Sequence, residues 1–397
     1  MLARTKEARA VLSRCVADNG IWASEDRYKQ QCWTRDFCLA QYPIMKTEFP
    51  AAVSAHLNNL ARRQGRWLNS NGKIPILFIS DEEQFLKHKF LDSFNNGKIG
   101  FMLQRWLDDG MEGIHNLTPN TCDSEALFII TVDDFLRKMP GIFPGNEGMY
   151  LKDQLRHAQS KAMYYLMAHL HLTGLIVGGD WRDTRVDLQD KCVLTNACLL
   201  YMAFKSTNYC MNGKYPIPVE QSQKVFEIIN TKFWNGTYYD DYLGDDRGKN
   251  FDLLGNALAI LYDIATPSQA DSIINYAIKN LHTPHGFKLI DTFLPPRNDE
   301  EKKIMERDGA VIWPWIHCYF LLAMLHADEK KWFSFVQEGM KRMSEDDCFH
   351  EWLDVTTGKG YGSASQCWSA ALFLRVEKCL GECELAAIHR KNQLLFL

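Results

Sequence analysis

The stretch that decides the fold is DGAVIWPWIHCYFLLAML, residues 308–325. It opens on a Gly- and Trp-bearing loop and then turns apolar almost without interruption. A helix that is apolar on every side is buried on every side. Segments of the same kind start near Asp36, Asp123, Lys191, Phe251, Ala310 and Ala364, about 55 to 90 residues apart. That spacing holds two helices and their loops.

Between these segments the apolar residues fall on one face only. Residues 151–171 line up Leu155, Ala158, Ala162, Tyr165, Leu166 and His169. Residues 218–230 start with Pro218 in a first-turn position and carry Val219, Val225, Phe226, Ile228 and Ile229. Residues 330–343 are amphipathic in the same way. The periodicity predicts further helices over 5–18, 36–44, 48–65, 124–138, 192–206, 251–265, 267–281, 310–327 and 364–379. KIPILFI (73–79) reads as a strand and PPRNDEEKK (295–303) as a solvated loop. Six buried helices alternating with six amphipathic ones predict an all-α protein, an (α/α)6 barrel of six helical hairpins. No low-complexity linker divides the chain, so residues 1–397 are expected to form one domain. In such a barrel the loops leading into the buried helices share one end and converge on a funnel.

With 397 residues, 46% of them apolar, the chain can bury a large core. A formal net charge of −4 gives no electrostatic case for nucleic acid. No apolar run is long enough to span a bilayer, so no membrane partner is expected. The first residues, MLARTKEARAVLSRCVADNG, read as an amphipathic helix and lack the apolar segment of a secretory signal. Twelve cysteines are scattered without a CxxC pair, which fits buried free thiols in a reducing compartment, and so a cytoplasmic protein. No HExxH motif occurs, and HTPH (282–285) reads as a turn before Gly286 in preference to a metal site. Neither metal nor cofactor is expected.

The loops before the buried helices carry the chemistry. GGDWRDTR (178–185) gathers Asp180, Trp181 and Asp183; others are WTRDF (33–37), TCDSE (121–125), DGAVIWPW (308–315) and HEWLD (350–354). Tryptophans beside acids suit a small carbohydrate, whose C–H faces stack on rings while its hydroxyls bond carboxylates. Each ring alone could equally be an anchor between loop and core. Glycosidic bonds are broken by two carboxyl groups on facing elements, one protonated and one ionised. Asp183 and Glu351 fit, being far apart in sequence and each close to a tryptophan. Asp180 is the rival proton donor. Arg182 or Arg185 would oppose a raised pKa in either acid that it touched.

FHEWLDVTTGKGYGSASQCWSAALFL (349–374) resembles the C-terminal catalytic region of the six-hairpin glycosidases: glucoamylases, trehalases, the glucosidase part of glycogen debranching enzymes, and neutral or alkaline invertases. The pattern is an acid and an aromatic, here Glu351 and Trp352, then a Gly-rich stretch to Gly362, then Gln366, Trp368, Ser369 and Ala370. WTRDF, WRDTRVDLQDKCVLTNACLLYMAF, DLLGNALAIL and GAVIWPWIHCYFLLAML are similar to other parts of these enzymes, so the resemblance spans about residues 30–380. It implies Asp183 as general acid and Glu351 as general base, with inversion at the anomeric carbon. It also implies Trp33, Arg35 and Asp36 around the non-reducing sugar, with Asp123, Arg185, Trp313, Gln366 and Trp368 lining the same pocket. The trehalase signature is missing, which favours a small glucoside, sucrose or an α-glucan end. A sugar phosphorylase and a non-catalytic carbohydrate-binding protein are the alternatives on this fold.

Overall fold

The computed structural model describes residues 2–66, 71–81, 121–138, 146–182, 185–210, 219–244, 250–291, 311–345 and 348–394. The loop expected over 295–303 lies outside them. Twelve α-helices occur among the described residues: α1 (Leu2–Arg14), α2 (Tyr42–Glu48), α3 (Pro50–Arg62), α4 (Ser124–Lys138), α5 (Asn146–Ala168), α6 (Leu194–Cys210), α7 (Val219–Ile228), α8 (Leu253–Leu261), α9 (Pro267–Asn280), α10 (Pro314–Ala327), α11 (Glu329–Met343) and α12 (Cys367–Leu394). A wider π-type turn, Asp36–Gln41, leads into α2. Strands are two or three residues long. Residue contacts group the chain into two compact units, Arg14–Val225 and Met1–Ser13 with Phe226–Leu397.

The alternation expected from sequence is present. In α10 every residue from Pro314 to Leu325 is buried, and in α8 every residue from Leu253 to Ile260. The Asp36–Gln41 turn is wholly buried too. By contrast α11 buries Trp332, Val336, Met340 and Met343, a single stripe at helical spacing, and α9 buries Ala270, Ile273, Ile274 and Ala277. Each large apolar side chain so covered stabilises the fold by about 1.5–3 kcal/mol.

Local signals fix the ends. Pro50, Pro267 and Pro314 occupy first-turn positions, where the missing N–H costs nothing. Thr266 and Gln269 form a reciprocal capping box on α9, and Asp328 caps α11 by accepting from the Lys331 N–H at 3.1 Å. Within Arg14–Val225, α4 packs on α5 and α6, and α3 packs on α5. In the same unit β1 (Val16–Ala17) pairs with β2 (Gly20–Ile21), and β3 (Gln31–Trp33) with β4 (Leu77–Ile79), all antiparallel. In the other unit α10 packs on α8, α11 and α12, while α1 reaches α12 through a Thr5–Glu377 hydrogen bond of 2.5 Å. There β5 (His282–Thr283) and β6 (Gly286–Phe287) form a hairpin, so HTPH is a turn. A three-stranded sheet orders β9 (Gly360–Tyr361), β8 (Trp352–Asp354) and β7 (Val311–Ile312).

Five helices whose first turns are wholly buried carry a polar side chain there, and each holds the backbone of a neighbouring loop. Glu125 of α4 accepts from the Ile74 N–H at 2.9 Å. Asn196 of α6 donates to the Gly178 and Gly179 carbonyls at 3.1 and 3.0 Å. Asn256 of α8 accepts from the Tyr239 N–H at 3.0 Å and donates to its carbonyl at 2.9 Å. His317 of α10 accepts at Nδ1 from the Phe287 N–H at 3.2 Å, and burial pushes its pKa down to about 3, leaving the ring neutral. Ser369 of α12 donates to the His350 carbonyl at 2.9 Å.

The boundaries differ from expectation in places. Only 77–79 of the 73–79 segment is strand. The first helix covers 2–14, not 5–18, and α5 starts at Asn146, five residues before the periodicity is readable. Cys192 and Val193 are extended ahead of α6, and α12 runs on to Leu394.

Candidate active site

Within Arg14–Val225 three loops distant in sequence meet. The WTRDF stretch passes from β3 into the Asp36 turn, and Arg35 bridges outward from it. Its Nη1 donates to the Trp181 carbonyl at 2.9 Å, its Nε lies 3.4 Å from Asp36 Oδ1, and its guanidinium sits 5.3 Å from the centroid of the Trp33 ring. The Trp33 indole N–H is fixed by Gln31 Oε1 at 3.0 Å. TCDSE joins the same cluster: Thr121 pairs with Gly179 in a parallel bridge, and the Cys122 N–H donates to the Gly179 carbonyl at 3.0 Å. Trp33, Arg35, Asp36, Asp123, Asp180 and Trp181 are thus brought together.

Asp180 is engaged on both oxygens. Oδ1 receives the Arg182 backbone N–H at 3.0 Å and Nε at 2.9 Å, and Oδ2 receives Nη2 at 2.7 Å. Both side chains are fully buried. A buried carboxylate bound bidentately by arginine is poorly placed to hand a proton to a leaving group. Arg185 forms a comparable pair with Asp187, at 2.8 and 2.7 Å. Burial pushes the Asp187 carboxyl up, and the Arg185 contacts more than offset it, so its pKa lies below the usual range. Asp183 lies outside the described residues.

Asp123 is the electrostatic outlier. It precedes α4, is buried, and its Oδ2 meets no hydrogen-bond partner among the described residues. Desolvation raises its pKa to about 7; Arg35 works against the rise, while Asp180 and Glu125 add to it. Near neutral pH such a group holds a proton part of the time and can donate a hydrogen bond to a hydroxyl.

The second cluster lies in the unit containing Phe226–Leu397. Glu351 directly precedes β8 and is 8% exposed. Its backbone N–H donates to the Ser363 carbonyl at 2.8 Å, and the Ser363 N–H returns a hydrogen bond of 3.0 Å to Glu351 Oε2. Gly362 allows this closure. Its φ of +76° is in the left-handed region, and a Cβ there would lie 2.4 Å from Glu351 Oε2. Trp352 stacks on Tyr361 with centroids 4.7 Å apart.

Gln366 follows on the same turn, its backbone N–H donating to the Phe349 carbonyl at 2.7 Å. Its side chain is fully buried, yet neither amide atom has a hydrogen-bond partner among the described residues, and the Trp368 indole N–H is in the same position. Trp368 meets Trp313 edge to face at 5.8 Å and stacks on Trp315 at 5.1 Å. Trp313, Gln366 and Trp368 therefore belong to the surroundings of Glu351, with Trp315 as the core anchor of the ring cluster.

Sequence reasoning passed over Ser363, Asn196 and Glu125. For the last two a signal exists, a polar residue inside an otherwise apolar helix. For Ser363 nothing in the sequence marks a backbone N–H.

Residues 192–375, just under half of the chain, match the family model described as amylo-alpha-1,6-glucosidase. No curated protein matches. Among solved structures, a variant of a glycosidase superposes with a TM-score of 0.65 at 12% identity, covering 96% of each chain. A GH63 mannosylglycerate hydrolase from Thermus thermophilus in complex with glucose superposes with a TM-score of 0.61 at 13% identity, covering 94% of this chain and 99% of that one. The chain has the six-hairpin glycosidase fold. That fold is the (α/α)6 barrel expected from the alternation of buried and one-faced helices. The fold and the family match together group the chain with the glycoside hydrolases.

Among the described residues no helix is long and apolar enough to cross a membrane, and no cluster of His, Cys, Asp or Glu is arranged to hold a metal ion.

Proposed function

We propose that this chain is an inverting glycoside hydrolase, acting as one catalytic domain on a small glucoside or an α-glucan end. The observation that carries the reading is the set of buried polar groups left without protein partners beside Glu351. A buried amide with both ends unsatisfied is costly unless a ligand completes it. The Gln366 side chain and the Trp368 indole N–H present donors and an acceptor of the kind a sugar's hydroxyls require.

In this mechanism Glu351 is the general base. The Ser363 N–H fixes the carboxylate through Oε2 at 3.0 Å, and the carboxylate takes a proton from the attacking water. Asp183 is the general acid that protonates the leaving oxygen. Asp180, the other acid of that loop, is occupied by Arg182 and shapes the loop, which leaves Asp183 as the donor. Arg35 and Asp36 grip the non-reducing sugar, and Trp33 and Trp181 give it a wall. Asp123, partly protonated near neutral pH, donates to a sugar hydroxyl, and Arg185 orients the loop through Asp187. Inversion requires room for a water between the two carboxyl groups, a separation of about 6.5–9.5 Å. Eleven of the twelve cysteines are in no disulfide, which supports a cytoplasmic setting.

The test is a panel of sucrose, maltose, trehalose, glucosylglycerate, mannosylglycerate and aryl glucosides, with the product anomer followed by proton NMR. One substrate is expected to be hydrolysed with inversion, and Glu351→Gln and Asp183→Asn are each expected to abolish turnover while leaving the melting temperature unchanged. Retention of configuration, full activity in either variant, or turnover that depends on inorganic phosphate would overturn the reading.

A further inference from the structure

We propose that the unit Arg14–Val225 carries a second binding site, for a neutral saccharide, in a cleft built around Trp22. The cleft has a volume of about 620 Å³. That lies in the range of small-molecule sites and suits one or two sugar rings. None of its lining residues belongs to the two clusters described above.

Its walls are fixed before any ligand arrives. The Trp22 indole N–H donates to Ser80 Oγ at 2.8 Å, so the half-buried ring is held by its polar edge and offers a face. The Asn19 side-chain amide donates to the Ser80 carbonyl, and the Asn19 carbonyl receives Asn59 Nδ2 at 2.7 Å. Gln30 sits at φ +68°, a left-handed conformation uncommon for a residue with a side chain. The Ser80 N–H keeps it there, donating to the Gln30 carbonyl at 2.9 Å. Backbone strain of this kind persists only where the surroundings impose it.

The charges select the ligand. Asp18 and Asp81 line the cleft together with Lys29 and Arg63, two of each sign. With the signs balanced, a phosphorylated, carboxylated or amine ligand gains no net attraction and must approach two like charges along with two opposite ones. A neutral polyol meets neither penalty: its hydroxyls donate to the aspartates and accept from the lysine and arginine. Lys29 Nζ lies over the Trp22 ring, 5.8 Å from its centroid, and is a donor within reach of a ligand held against the indole. An indole, paired acids and paired cations in a neutral, rigid cleft fit a saccharide.

The inference goes beyond the hydrolase reading, and its test reads binding alone. Full-length protein carrying 15N-labelled tryptophan side chains is titrated with maltose, glucose, glucose 6-phosphate and glucosamine. Trp22→Phe identifies the Trp22 indole signal. That signal is expected to shift with maltose and glucose in the millimolar range, and less with the charged sugars. The shift is expected to persist in Glu351→Gln and to weaken at least tenfold in Asp18→Ala/Asp81→Ala, whose circular dichroism confirms folding. A Trp22 signal indifferent to both neutral sugars, stronger binding of either charged sugar, or unchanged binding in the double variant would overturn the proposal. An enzyme inactive on every glycoside would leave these outcomes readable.

Discussion

Replacing Gly362 by alanine adds one methyl group and tests how Glu351 is mounted. The new Cβ would stand 2.4 Å from Glu351 Oε2, 2.7 Å from Glu351 Cβ and 3.0 Å from Trp352 Nε1. Two costs add. Alanine in the left-handed region costs about 1–2 kcal/mol. Displacing the carboxylate also breaks its hydrogen bond from the Ser363 N–H, and a bond to an ionised acceptor contributes about 1.5–3 kcal/mol. A stability loss of about 2.5–5 kcal/mol is expected in urea unfolding. Activity is expected to fall further than stability implies, because a shift of about 1 Å in a catalytic group can cost about 100-fold in rate. Gly236→Ala is the control. Gly236 also has a positive φ, +99°, but nothing lies within 4 Å of its added Cβ. It should show the strain alone, about 1–2 kcal/mol, with kcat unchanged. If Gly362→Ala kept the wild-type kcat, Glu351 would not act from the position described.

Arg182→Ala leaves the Asp180 carboxylate buried without its cation. The expected loss is about 3–5 kcal/mol in chemical unfolding, and a loss under about 1 kcal/mol would mean that the pair is solvated. Asp123→Asn tests the raised pKa. Folding lifts that pKa from 3.8 to about 7, so the folded state holds the extra proton between those values. The associated stability is complete at low pH and is lost as pH rises from about 4 to 7, to a total on the order of 4 kcal/mol. Relative to Asp123→Asn, the wild type should therefore weaken across that window, and parallel stability curves would contradict the assignment. Asn256→Ala strips both partners from the buried Tyr239 peptide groups. Unfolding should become easier by about 2–4 kcal/mol, with a neutral result refuting the anchoring role.

Much of this architecture was legible because a buried helix leaves a blunt signature. The starts expected at Asp36, Asp123, Lys191, Phe251, Ala310 and Ala364 fall within four residues of the observed ones, at Asp36, Ser124, Leu194, Leu253, Pro314 and Cys367. Periodicity says less where a helix is polar, and so the front of α5 and the tail of α12 were missed. The candidate site was legible as residue types in order, yet not as contacts. GGDWRDTR shows two acids and two arginines, but only geometry shows that Arg182 takes Asp180 and Arg185 takes Asp187. The tryptophans were ambiguous for a similar reason. Trp315 and Trp368 stack inside the core, whereas Trp352 lies on Tyr361 over the Gly-rich turn, and sequence alone treats all three alike.

The first-turn side chains Glu125, Asn196, Asn256, His317 and Ser369 have a consequence for how such a protein can change. Each clasps the backbone of a neighbouring loop at a fixed point. Insertions and exchanges beyond the clasp alter what the mouth recognises while the joinery behind it stays put. A scaffold jointed in this manner can be refitted for a new sugar one tip at a time.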